Sequence, residues 1–88
     1  SFDRAFMGSC GIDMMDHTVT TLGVEDGLTK KAAIESSRHK YAVMEREKFY
    51  FNESYNFTQL DELDGIITDE FPDQSVQDML DSLGVTLY

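Results

Sequence analysis

The last third of this chain reads as a strand, a helix and a second strand with short connections, and no other feature narrows its fold as far. Gly65-Ile66-Ile67-Thr68 has the character of a short buried strand, and Pro72-Asp73 opens a turn. Val76, Met79, Leu80 and Leu83 then recur at i, i+3, i+4 and i+7, the spacing of one face of an amphipathic helix. Gly84 is placed to end that helix in a left-handed conformation, and Val85-Thr86-Leu87 returns as a strand. Strands joined through a helix run parallel, and the crossover between them is right-handed.

The rest of the chain keeps to the same alternation. Arg4 to Gly8 reads as a buried strand feeding the small-residue loop Gly8-Ser9-Cys10-Gly11. Ile12 to Thr21 is expected to form a loop on the active face, with a short strand at Thr18-Val19-Thr20-Thr21. A helix is expected from about Val24, with Gly23 as N-cap, Glu25 and Asp26 in its first turn and Val24, Leu28 and Ala32 as its apolar stripe, Ile34 lying to one side. Gly27 costs such a helix roughly 1 kcal/mol relative to Ala, which hints at close packing there. Lys40 to Met44 reads as the next strand, followed by the charged loop Glu45-Arg46-Glu47-Lys48. The aromatic patches Phe49-Tyr50-Phe51 and Tyr55-Asn56-Phe57 are expected to be short irregular structure on the core edge. The fold class is therefore α/β, with a mostly parallel sheet and flanking helices.

At 88 residues and 41% hydrophobic content the chain can bury one modest core. Its formal net charge of -10 argues against direct grip on nucleic acid, which requires clustered Lys and Arg. The acids are dispersed, from Asp61 to Asp81, and read as a solvated face rather than a metal cage. No metal or cofactor is expected. No apolar run approaches the roughly 20 residues of a membrane span. A lone Cys10 forms no internal disulfide, and a cytoplasmic location is expected. The abrupt entry from Ser1 into a strand suggests a piece of a larger protein.

Four stretches together resemble the sensor domain of the DeoR family of bacterial repressors. Phe6-Met7-Gly8-Ser9-Cys10-Gly11-Ile12-Asp13 is similar to the family's strand ending in a glycine pair and Ile-Asp. His17-Thr18-Val19-Thr20, Glu25-Asp26 and Lys30-Lys31-Ala32-Ala33-Ile34 resemble its His-Gly-Leu-Thr, acidic pair and Lys-Arg-Ala-Met-Ile series. Tyr41-Ala42-Val43-Met44 through Lys48-Phe49 is similar to the strand and Asp-Ser-Ser-Lys-Phe segment, and Leu60 through Asp69 to the segment ending in Val-Ile-Thr-Asp. This resemblance implies residues 1–88 to be the C-terminal portion of an effector-binding domain, with a fold like that of ribose 5-phosphate isomerase. It also implies that a DNA-binding winged helix-turn-helix and the first half of the sensor are absent, that DNA is contacted only through that missing N-terminal domain, and that the protein is a homo-oligomer. The chain departs from the pattern where Glu45-Arg46-Glu47 replaces Asp-Ser-Ser, where Thr18 replaces Gly, and at Cys10.

Ligands of open parallel sheets sit beyond the carboxyl ends of the strands, so the loops after Met7, Thr20 and Met44 are expected to converge on one crevice. Gly8 and Gly11 would let backbone N–H groups approach a ligand oxygen, Thr20 would offer a hydroxyl, Lys48 a cation for phosphate or hydroxyl, and Asp13 and Glu25 acceptors for sugar hydroxyls. The expected ligand is a phosphorylated sugar that modulates operator binding. Each residue has a plainer role: Lys48 as a surface lysine, Asp13 and Glu25 as turn and helix-start acids, His17 as a loop residue, Cys10 as a packed thiol. An isomerase-like reading would cast Asp13, His17 and Glu25 as acid–base groups. A third reading, an oligomerisation module without ligand, would place the aromatic patches between subunits.

Overall fold

The computed structural model describes residues 2–88; Ser1 and the expectation attached to it lie outside them. The strands and helices, in chain order, are β1 (Phe2–Met7), β2 (Gly11–Asp13), β3 (Thr18–Thr21), α1 (Val24–Glu35), β4 (Ser37–Met44), β5 (Tyr55–Gln59), β6 (Gly65–Thr68), α2 (Gln74–Ser82) and β7 (Thr86–Leu87). Short 3-10 turns cover Arg46–Tyr50 and Leu60–Glu62.

The α/β expectation holds. A four-stranded sheet runs β1-β4-β6-β7, parallel throughout. Because this order advances in one direction, right-handed crossovers put every connecting segment on the same face. The core agrees: Met7, Ala42, Met44 and Ile66 of the sheet pack with Ile34 of α1 and with Val76 and Leu80 of α2. The opposite face carries Phe6, Tyr41, Val43, Ile67 and Tyr88, among which Phe6, Val43 and Tyr88 are exposed.

Three expectations are corrected. The segment Ile12 to Thr21 is not a loop with one strand, and Tyr55-Asn56-Phe57 is not irregular. They form a second, antiparallel sheet in the order β2-β3-β5. β2 and β3 form a hairpin, whereas the β3–β5 pairing is non-local: Thr20 and Thr21 lie opposite Asn56 and Tyr55, across a helix and a strand of intervening chain, so no local pattern announces it. Ile12, Val19 and Phe57 of this sheet complete the core.

The third correction concerns α1. Val24 and Leu28 of the expected stripe are exposed, whereas Gly27 and Ile34 are buried. The helix meets the core through a residue with no side chain: a Cβ on Gly27 would run into the ring of Tyr55. Hydrophobic periodicity cannot see such a contact. Helix α2 follows its pattern closely, with Val76 and Leu80 buried, Met79 and Leu83 partly so, and Gly84 at φ 76° after the last turn.

Candidate functional site

The carboxyl ends of β1, β4 and β6 open into one crevice of about 430 Å³ lined by Ser9, Met44, Glu45, Lys48, Thr68 and Asp69 among others. Parallel strands end together there, so side chains far apart in sequence converge. Lys48 reaches it from the 3-10 turn after β4. Its Nζ stands 3.6 Å from Glu53 Oε1 and 5.0 Å from the centre of the Phe51 ring. Glu45 and Asp69 put carboxylates at the same mouth. Glu47, by hydrogen bonding and charge, pushes the Glu45 carboxyl above its ordinary value.

A second hollow adjoins the first through Ser9 and is lined by Thr21, Gly23, Glu25 and Asp26. Its polar wall is a tight cluster. The Lys30 ammonium donates to Asp26 Oδ2 at 2.6 Å, to Thr21 Oγ1 at 3.0 Å and to the Ser9 carbonyl at 3.4 Å. The Thr21 hydroxyl donates to Asp26. Lys30 first, then Thr21, holds the Asp26 carboxyl below its ordinary value. Ser9 has φ 54°, a left-handed backbone uncommon for a residue with a side chain. It lines both hollows.

The structure distributes the expected site residues unevenly. Lys48 lines the crevice, and Glu25 lines the adjoining hollow. Gly8 has open space around its Cα, next to Ser9. Three others are engaged elsewhere. Gly11 abuts the Phe51 carbonyl, which leaves no room for a Cβ. The Thr20 hydroxyl is fully buried and accepts the Glu53 N–H at 2.9 Å. Asp13 caps the β2–β3 turn, accepting from the N–H groups of Met15 and Asp16 at 3.0 and 3.1 Å and from the Asn52 side chain at 3.2 Å. His17, with φ 55°, belongs to that same turn.

Sequence reasoning passed over Ser9, Thr21, Asp26, Lys30, Thr68 and Asp69. The signal available for Asp26 and Lys30 was their spacing of four on a helix, which sets an acid against a base on one face. Cys10 is fully buried, with its thiol near the Gly8 carbonyl at 3.3 Å, and burial pushes its pKa to about 11. That is a packed thiol, not a nucleophile. Among the described residues no group of three or more His, Cys, Asp or Glu is arranged to hold a metal, and no helix is long and apolar enough to cross a membrane.

Residues 1–70 match the family model described as the DeoR C terminal sensor domain. The chain is similar to the HTH-type transcriptional repressor GlcR of Bacillus subtilis, at 34% identity over 85 residues, covering 97% of this chain and 32% of the relative. It is also similar to the glycerol-3-phosphate regulon repressor of Escherichia coli, at 33% identity over 78 residues, covering 89% of this chain and 31% of that protein. The chain thus spans under a third of the length of these relatives.

Proposed function

Because the chain belongs to the DeoR C-terminal sensor domain family, we propose that it forms part of the effector pocket of a transcriptional repressor, and that the effector is a phosphorylated sugar held in the crevice at the carboxyl ends of β1, β4 and β6. The chain is a sensor module rather than an enzyme, in keeping with the repressors it resembles. The observation that carries the ligand reading is the placement of Lys48 in that crevice together with Ser9, Glu45, Thr68 and Asp69. An ammonium suits a phosphate oxygen, while the carboxylates and hydroxyls suit the hydroxyls of a sugar. Gly8 leaves the backbone open to a ligand at the end of β1.

Sensing then follows from linkage. A sugar phosphate that binds one arrangement of the sensor better than another shifts the attached operator-binding domain, which lies elsewhere in the polypeptide, between competent and incompetent states. Subunits associate through surfaces of the complete repressor, and the protein works in the cytoplasm.

Thermal melts of the full-length protein with triose, pentose and hexose phosphates test this reading, with unphosphorylated sugars and inorganic phosphate as controls. A specific effector at about a hundred times its dissociation constant stabilises by roughly 2.7 kcal/mol. Lys48→Ala should abolish most of that shift. No shift with any sugar phosphate, or an undiminished shift in the variant, would remove the crevice from the account.

A further inference from the structure

Arg46 stands where the family pattern has a serine, between Glu45 and Glu47 and two residues before Lys48. It spans the gap between two loops. Its Nη2 donates to Asp73 Oδ1 at 2.8 Å, its Nε donates to the Phe71 carbonyl at 3.1 Å and lies 3.5 Å from Glu70 Oε2. Its own backbone N–H donates to Asp69 Oδ1 at 3.0 Å. The guanidinium lies 5.8 Å from the centre of the Tyr50 ring, and the Tyr50 hydroxyl accepts the Asp73 N–H at 3.0 Å. Every partner except Tyr50 lies in the segment 69–73, between β6 and α2.

We propose that Arg46 is a positioning residue: it latches the turn after β4 to the loop after β6 and so presets the mouth of the crevice in which Lys48, Glu45 and Asp69 meet. Three features support a latch rather than an incidental ion pair. A guanidinium is a rigid planar fork whose donors point in fixed directions, so it sets the Asp73 carboxylate and the Phe71 carbonyl in one geometry, where a lysine ammonium is a rotatable point donor. The bond from the Arg46 backbone to Asp69 fixes the start of the turn, while the side chain fixes the far end of the partner loop. Asp69 itself lines the crevice, so the latch shares an atom group with the site. Ordering both loops before the ligand arrives removes an entropic cost that binding would otherwise carry. A serine at this position reaches none of the side-chain partners.

The consequence for binding rests on the effector reading above; the latch itself does not. Amide exchange should therefore be measured first, without ligand, in the full-length protein, its Arg46→Ser variant and the swapped pair Arg46→Asp with Asp73→Arg. In Arg46→Ser, exchange should speed up together in segments 45–50 and 69–73 and stay unchanged in α2, and the swap should restore part of the protection. Unchanged exchange in either segment would overturn the latch, as would a uniform rise across the fold. Affinity for whichever sugar phosphate shifts the wild-type melt should fall several-fold in Arg46→Ser, recover in part in the swap, and weaken with added salt less steeply than in the wild type. Normal affinity despite loosened loops would overturn the positioning role. A wild type that binds no sugar phosphate would instead fail the effector reading, while the exchange data still decide the latch.

Discussion

The two faces of the parallel sheet are built from alternate residues of the same strands, yet they live in different solvents. Ala5 and Met7, Ala42 and Met44, and Ile66 point into a closed core against α1, α2 and the antiparallel sheet. Their neighbours Phe6, Tyr41, Val43 and Ile67, with Tyr88, are almost as apolar, but Phe6 is 58% exposed and Val43 42%. Phe6 and Tyr41 stack at 5.3 Å and Tyr88 meets Tyr41 edge-on at 6.2 Å, so the bare face covers itself only in part. Parallel sheets are ordinarily buried on both sides, and their strands read as continuous apolar runs for that reason. The carboxyl half of β4, Tyr41 to Met44, is written for two covers, and the chain folds to supply one.

If only one face holds the fold together, Leu80→Ala should cost the most. Leu80 is fully buried between α2 and the sheet, and truncating such a leucine costs about 2–5 kcal/mol. Urea titration of the chain checks it; a loss under about 1 kcal/mol would mean that the core collapses around the gap and is less closely packed than described. Gly27→Ala comes next. On an exposed helix face this change stabilises by about 1 kcal/mol; here the new methyl meets the Tyr55 ring, and the overpacking should destabilise by about 1–3 kcal/mol instead. A gain in stability would show that α1 does not sit on the covered side as closely as the structure has it.

These two positions also mark how far the sequence could be read. Leu80 was legible because α2 spends large side chains at regular intervals, and a period of 3.6 residues is visible without partners. The buried face of α1 was legible only at Gly27, whose cost to a helix pointed to close packing there; the stripe that spacing suggested turned out to face solvent. The place of β5 in the antiparallel sheet was hidden for another reason: it pairs with β3 across a long sequence separation, which local propensity does not encode. At the site, Lys48 was legible from its place after a strand end. Ser9, Thr68 and Asp69 were not, because their only shared property is that parallel strands terminate side by side, and Thr20 and Asp13 offered the right chemistry while being spent on the turn and on Glu53.

A third test uses the side of α1 that faces β3, where the Lys30–Asp26 pair meets the Thr21 hydroxyl. The Asp26 carboxyl is held below its ordinary 3.8 by Lys30 and Thr21. A depressed carboxylate contributes stability that is present above its unfolded value and lost as pH falls through the folded one. Glu45, raised by Glu47 from its ordinary 4.5, has the opposite sign: its contribution is present below the unfolded value and lost as pH rises through the folded one. Asp26→Asn should therefore flatten the acid limb of stability against pH, and Glu45→Gln should lift stability above that range. Urea midpoints between about pH 5 and about pH 2 resolve the first. An unaltered acid limb in Asp26→Asn would leave the Lys30 cluster without energetic weight.

The smallest effect belongs to the bare face, and it decides the comparison. Phe6→Thr keeps a strand-favouring residue on β1 while removing one of the two most exposed rings of the uncovered side. With no cover to lose, the change should alter the stability of the chain by about 0.5 kcal/mol or less, far below Leu80→Ala on the other side of the same sheet. Were Phe6→Thr to cost as much as the core truncation, with the loss depending on protein concentration, the ring must already be buried between molecules, because only an association equilibrium makes apparent stability follow concentration. A small, concentration-independent change leaves the face open in the chain alone, and then the contrast between the two faces is a property of the 88 residues themselves.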